Sequence, residues 1–400
     1  MVKKIKRRTH FTISKPLNHD KTFLGLIGFM LIFGVVMIHN ATVIYSQDLF
    51  GGAYRFVFLQ IGWILAGLVG FLFFYRLDYK NIEKLAYPFM TITLVFLAIL
   101  AFLGLLSKIG VLSCNNSIIF APCINGAHRW FYLNPPPLPR FPIIGVLGFQ
   151  PSEFAKFSLI LYLSVQISKT LKEGTSFMVY MGTAGLIALL VILQPNMSTA
   201  VLIFLIASII YFASNAPLLP QLISVPIIGI MGAIFMLTSP YRRERLLTLM
   251  GSNADKDLSL GYHIKQILIA LGSGGFMGVG FGQSRQKFQY LPEVSSDSIF
   301  AIIGEEMGFI GTTFVVLLFC AFLYKGIQIA KKAPDILGRL LAVGITAWIG
   351  LQFFVNVAAM TKIIPLTGVP IPLISYGGSS MLFTMMGLGV LGSVGRSGHA

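Results

Sequence analysis

Charge is scarce in this chain. Only 14 of its 400 residues are acidic, and charged side chains of both signs make up 11% of it, well under the roughly one quarter typical of a soluble domain. With 56% hydrophobic residues and a mean hydropathy of +0.81, a solvated globule is excluded. No His, Cys and acidic residues cluster with metal-ligand spacing. No small-residue cleavage site follows the basic N-terminus, so no removed signal peptide is read there. The net charge of +16 does not indicate nucleic acid, because the basic residues are scattered between apolar runs and no soluble domain gathers them into a face. Lipid is the anionic partner that this distribution suits.

What the chain does have is a series of apolar runs near the ~20 residues needed to cross a bilayer core. Their short polar links fit helices rather than the alternating strands of a barrel. The fold class read from this is an all-α integral membrane protein with ten transmembrane helices, at about 22–46, 57–76, 87–106, 152–167, 177–194, 199–214, 220–238, 298–324, 340–359 and 379–395. A basic tail, 1–21, carries seven Lys/Arg against one Asp, and the loops on the same side hold Arg76, Lys80, Lys84, Lys169, Lys172, Lys325, Lys331, Lys332 and Arg339. By the positive-inside rule both termini, including 396–400, are cytoplasmic. Residues 22–395 then form one membrane domain with extracytoplasmic segments 107–151, 239–297 and 360–378, the first two being large loops between helices 3 and 4 and helices 7 and 8.

The first of these segments holds Cys114 and Cys123, while Cys320 falls inside a span. The pair lies where disulfides persist and is close enough to bridge, or to remain two free thiols. Five prolines between Pro135 and Pro142 forbid regular helix, so a stiff irregular loop over the bundle is expected. At its end, QPSEFAK starts a helix on which Glu153 and Lys156 share a face at i, i+3. That pair reads equally as packing or as chemistry. The second segment carries Arg242, Arg243, Arg245, Lys256, Lys265, Arg285 and Lys287, either a solvated basic loop or a cationic floor for a phosphorylated head group. The link in LQPNMSTA is a polar hairpin turn or a re-entrant bend. Charge is densest from Gln283 to Gly311, where Glu293, Asp297, Glu305 and Glu306 follow the two cations.

Five colinear stretches, NGAHRW, QPSEFAK, LQPNMSTA, GFGQSRQKFQYLPEVSSDSIFAIIGEEMGFIG and NVAAMTKIIPLTGVPIPLISYGG, resemble the signatures of the FtsW/RodA (SEDS) family. The resemblance covers residues 22 to 395, and the GFGQSRQKFQYLPE wording is similar to the division-type, FtsW branch. It implies ten spans with cytoplasmic termini and a peptidoglycan glycosyltransferase that polymerises lipid II on the outer face of the bacterial cytoplasmic membrane. It also implies a class B penicillin-binding transpeptidase as partner, among other divisome or elongasome proteins. The family's catalytic aspartate falls on Asp297. Its neighbours differ from the usual His-Thr-Asp-Phe: here they read Ser295-Ser296-Asp297-Ser298. Asn196 and Ser198 stand where the family usually has aspartate and glycine.

Physical chemistry gives Asp297 two readings. It lies where an external loop enters a span, where partial desolvation lifts a carboxylate toward useful basicity. With Ser295 and Ser296 it is equally a good helix cap. Joining two sugars with loss of a pyrophosphate needs a base for the attacking hydroxyl and cations for the leaving phosphates. Arg129, Lys156, Arg243, Arg285 and Lys287 are candidates for the phosphates, and Trp130 for a sugar face or an interfacial anchor. Glu305 and Glu306 cannot both face lipid, and Lys156 is the polar partner suggested for one of them. Ser375, in ISYGG, and the GSGG run at Gly272–Gly275 suit either phosphate cradling or close helix packing. No cofactor is named, with room left only for a divalent cation at the pyrophosphate. A flippase would use the same bundle without a base, and a docking scaffold would need neither.

Overall fold

The computed structural model describes residues 20–110, 118–124, 126–134, 147–171, 175–237, 243 and 260–398. The tail before Asp20, Cys114, the proline run and most of the basic cluster around Arg243 lie outside the described residues. Eleven α-helices are present among them: α1 (Lys21–Phe50), α2 (Arg55–Arg76), α3 (Ile82–Lys108), α4 (Pro151–Thr170), α5 (Ser176–Leu193), α6 (Met197–Ala213), α7 (Leu219–Leu237), α8 (Leu260–Gly274), α9 (Ile299–Lys332), α10 (Ile336–Met360) and α11 (Gly378–Ser397). Seven stretches, those of α1, α2, α3, α5, α9, α10 and α11, are long and apolar enough to cross a membrane, while α6 and part of α7 are shorter apolar helices. The chain is a multi-pass membrane protein. Each of the ten expected runs coincides with a helix, and most extend further than their apolar cores.

The helices sort into a lipid-facing ring and an occluded centre. Phe58, Leu65, Val69, Leu222, Ile230 and Leu317 are exposed, which costs nothing in hydrocarbon. In α4, by contrast, fifteen of its twenty residues are buried, Glu153 and Lys156 among them. α11 packs along α2 at backbone distance: a Cβ on Gly389 would lie 2.5 Å from the Phe71 carbonyl oxygen. Small residues permit that approach, and dispersion between the apposed helices drives it.

The loop before α4 is not wholly irregular. It contains two antiparallel ribbons, β1 (Cys123–Ile124) with β2 (Ala127–His128), and β3 (Phe131–Tyr132) with β4 (Gly148–Phe149). Cys123 is disulfide-bonded, and Cys320 is a free thiol. His128 is fully buried, its Nδ1 2.7 Å from the Ala121 carbonyl and its Nε2 3.2 Å from Ser107 Oγ. A carbonyl only accepts, so Nδ1 carries a proton and donates to it. The ring is a structural tie between loop and α3.

The segment 239–297 is not a plain loop, since it contains α8. Its buried positions His263, Ile267, Ala270 and Gly274 follow the spacing of one helical face, a pattern short enough to be missed beside the longer spans. The run after α8 meets a break in α9. At Gly308 the helix leaves helical geometry (φ 65°, ψ −159°), which frees carbonyls above and amides below it. Val279 and Gly280 N–H donate to the Glu305 and Glu306 carbonyls at 3.0 and 3.1 Å, while Phe309 and Ile310 N–H donate to Gly275 and Phe276 at 3.0 and 3.2 Å. Two freed carbonyls and two freed amides are thus paired within the protein, as a broken membrane helix requires. The glycines are there because the backbones touch: a Cβ on Gly278 would lie 2.1 Å from the Glu306 carbonyl oxygen, and one on Gly274 1.9 Å from that of Gly304. Within GSGG, Gly274 thus serves close packing against α9. The piece of α9 after the break, ~24 residues or ~36 Å, is by itself long enough to span.

Candidate active site

Where the N-terminal end of α9 meets α8 and α10, polar side chains are buried together. Asp297 lies just before α9 and is 5% exposed. Its carbonyl accepts from Asn356 Nδ2 at 2.8 Å, and the same amide donates to the Val369 carbonyl at 2.7 Å. The capping alternative is not the one adopted at the cap position. That position is Ser298, whose side chain makes no cap hydrogen bond; its hydroxyl lies 2.8 Å from His263 Nε2 and 3.5 Å from Asp297 Oδ1. His263, in α8, is buried beside this pair.

The segment 360–378 closes over this point. Tyr376 N–H donates to the Ser295 carbonyl at 2.8 Å, and burial pushes its phenol pKa up, with Arg55 acting against that rise. The phenol is therefore neutral near pH 7. Gly368, at φ +66°, presents no side chain to the carboxylate: a Cβ there would sit 3.8 Å from Asp297 Oδ2. Ser375 is structural, its Oγ accepting from the Ile371 N–H at 2.8 Å.

A second buried cluster is joined to the first through α10. Lys156 Nζ lies 2.7 Å from Glu153 Oε1, as the i, i+3 spacing on α4 anticipates, and donates to Gln352 Oε1 at 2.8 Å. The same Gln352 oxygen accepts from Trp348 Nε1 at 2.9 Å, and the Gln352 amide donates to the Pro370 carbonyl at 3.0 Å. Gln352 and Asn356 are one turn apart on α10. Together they hold consecutive carbonyls, Val369 and Pro370, and so couple the Lys156 cluster to the Asp297 backbone. Neither amide was singled out from sequence, although LQFFVNV places two amides four residues apart in an apolar span, which was the available signal.

A third cluster lies beneath the loop that carries Arg285 and Lys287, and it corrects two expectations. The polar partner of Glu306 is not Lys156, which is taken by Glu153. Glu306 Oε1 accepts from Ser284 N–H at 3.2 Å and lies 3.4 Å from Lys287 Nζ; Oε2 is bonded to Asn40 of α1. Glu305 accepts from the Arg285 N–H at 3.0 Å and from the Ser284 hydroxyl. The paired carboxylates thus fix the 284–287 turn. Lys287 in turn is not available for a substrate phosphate. Its ammonium has three protons and three acceptors, Glu306 Oε1, Asn40 Oδ1 at 3.2 Å and the Gly282 carbonyl.

The remaining phosphate candidates divide in the same way. Lys156 is 1% exposed and neutralised by Glu153. Arg129 donates through Nε to the Gln194 carbonyl at 3.2 Å and through Nη2 to Pro195 at 2.6 Å, so it staples the QPN turn. That turn is a plain link capped by Asn196, whose Oδ1 accepts from Thr199 N–H at 3.4 Å. Trp130 packs by Gly148, where a Cβ would approach its ring to 3.2 Å. Arg243 and Arg285 are exposed. Among the described residues no group of three or more His, Cys, Asp or Glu side chains converges as metal ligands would.

The chain's similarity to known proteins runs over nearly its whole length. The family model described as a cell cycle protein, FtsW/RodA/SpoVE, matches residues 21–399. The chain belongs to this family. Stage V sporulation protein E of Bacillus subtilis is 32% identical over 388 residues, covering 96% of this chain and 98% of that protein. A probable peptidoglycan glycosyltransferase FtsW of Geobacter sp. is 32% identical over 382 residues, with 93% and 95% covered. Among solved structures, a chain of a peptidoglycan synthase complex shares the fold with TM-score 0.73 and 23% identity over 96% of this chain and 99% of that one. Thermus thermophilus rod shape determining protein RodA shares it with TM-score 0.65 and 22% identity over 96% and 99%. The expected family is therefore the observed one, and the fold is shared with RodA.

Proposed function

We propose that this chain is a peptidoglycan glycosyltransferase acting in cell-wall synthesis, with lipid II as substrate and Asp297 as general base. The observation that carries the reading is a buried carboxylate at the external mouth of α9, held from behind by Asn356 and flanked by the Ser298–His263 pair. Full-length similarity to proteins named for that activity supports it. Asp297 takes the proton from the 4-hydroxyl of the acceptor sugar. The freed oxygen bonds to the anomeric carbon of the lipid-linked donor from the face opposite the leaving group. The carbon–phosphate oxygen bond breaks, and undecaprenyl pyrophosphate departs with the electron pair and with inversion. Arg285 and Arg243, the two exposed cations among the candidates, stabilise the leaving phosphates.

The reading places the chain in the bacterial cytoplasmic membrane with ten spans, counting α1–α7 and α9–α11, and with both termini cytoplasmic. Asp297 then opens to the outer face, where a class B penicillin-binding transpeptidase would take the new glycan. A neighbour in fold comes from a synthase complex that couples polymerisation to crosslinking, which supports such a partner. The test is purified protein, alone and with its transpeptidase, given labelled lipid II. A glycan ladder is expected. Transfer of lipid II across liposomes without polymer would make the chain a flippase, and neither activity would make it a scaffold.

A further inference from the structure

At the far end of α9 from Asp297, helices α6, α9 and α10 do not close on one another. A cavity of about 330 Å³ opens between them, walled by Ile209, Leu323, Ile327, Ala330, Val343 and Ala347, within the size range of ligand pockets. Water finds almost no hydrogen-bond partners in such a wall, whereas methylenes fill it at no polar cost. In a membrane the methylenes at hand are acyl chains.

The rim has a different chemistry. Lys331, in the last turn of α9, and Arg339, in the first turn of α10, both line the cavity. Among the described residues neither cation is in an ion pair, and the nearby acids turn their carboxylates to other groups. Asp335 accepts from Gly338 N–H at 2.7 Å and from the Tyr79 hydroxyl at 2.9 Å, and Asp20 pairs with Lys325 at 3.5 Å. Arg339 Nε is buried with no hydrogen-bond partner among the described residues. An apolar slot whose mouth holds a lysine and an arginine with an unspent donor matches a molecule with an anionic phosphate on a hydrocarbon chain. Basic pockets between membrane helices on the cytoplasmic side bind such head groups.

We propose that this cleft is a binding site for an anionic phospholipid of the leaflet at that end, one acyl chain lying between α6, α9 and α10 and the phosphate held by Arg339 and Lys331. It is separate from the lipid-linked substrate, whose phosphates belong at the opposite end. Occupancy would fill the gap between α10, which positions Asp297 through Asn356, and α9, which begins beside it.

Native mass spectrometry of the full chain in detergent, titrated with phosphatidylglycerol or phosphatidylcholine, tests this. One phosphatidylglycerol should be retained in clear preference to phosphatidylcholine. Lys331→Gln with Arg339→Gln should weaken it on the order of thirtyfold, from ~1 kcal/mol per charge. Ala347→Phe, which fills the apolar wall without changing charge, should displace it as well, and covers the case in which the double variant unfolds. Lys80→Gln, an exposed charge at the same end but outside the cleft, should leave binding unchanged. Equal retention of the two lipids, equal loss in Lys80→Gln, or retention unaffected by the cleft variants would overturn the proposal.

Discussion

Replacing Lys287 with methionine separates two roles that the residue type permits, holding a substrate phosphate and neutralising Glu306. The side chains of Lys287 and Glu306 are 6% and 0% exposed and 3.4 Å apart. Breaking a buried pair by removing one partner costs ~3–5 kcal/mol, because the other charge is left uncompensated. Glu306 would keep its bonds from Ser284 N–H and Asn40, which places the cost near the lower end, at about 3 kcal/mol. Methionine keeps most of the buried volume, so little of the loss comes from a cavity. Adding Glu306→Gln removes the orphaned charge, and the double variant should regain about 2 kcal/mol of the loss as a coupling energy. Equilibrium unfolding in mixed micelles, run for wild type, both single variants and the double, measures that coupling. A Lys287→Met protein as stable as wild type but with a raised KM for lipid II would refute the counter-ion assignment and return Lys287 to the substrate.

Five further substitutions, one of them a control, probe other parts of the protein. Gln352→Leu strips an acceptor from both Lys156 and Trp348 and should cost at least ~1–3 kcal/mol while lowering kcat, read by unfolding and polymerisation in parallel. Gly278→Ala should abolish folded protein on size-exclusion analysis, since its φ of +82° and the 2.1 Å approach to the Glu306 carbonyl admit no Cβ; Gly272→Ala, whose Cβ would meet nothing, is the control and should fold normally. Arg285→Gln should raise KM for lipid II several-fold with unchanged melting, because the side chain is exposed and its backbone N–H alone binds Glu305. Asp297→Asn tests the chemistry itself.

The parts of this protein that were legible in its sequence are those in which cause and effect are local. An apolar run of membrane length has one way to satisfy its backbone, so the helices follow from hydropathy. Glu153 and Lys156 meet because helical spacing brings them to one face. Distance in sequence hid the rest. Lys287 finds Asn40 and Lys156 finds Gln352 across 247 and 196 residues, and nothing in either neighbourhood names the partner. Glu305 and Glu306 hold the 284–287 turn about twenty residues before them, a contact that their own neighbourhood does not name. Nothing local marks the break at Gly308, two residues past Glu306, and the glycines of GSGGFMGVG gain their meaning only once they are seen against it. His263 likewise meets Ser298 across 35 residues.

Polymerisation of labelled lipid II by Asp297→Asn, compared with wild type at equal folded concentration, tests the central claim most directly. The amide keeps the side chain's shape, and the Asn356 bond to the residue 297 carbonyl is independent of it. The base assignment therefore predicts an unchanged melting profile and loss of glycan product by at least 10²-fold, the usual contribution of general base catalysis. Wild-type glycan synthesis by the folded variant would contradict it.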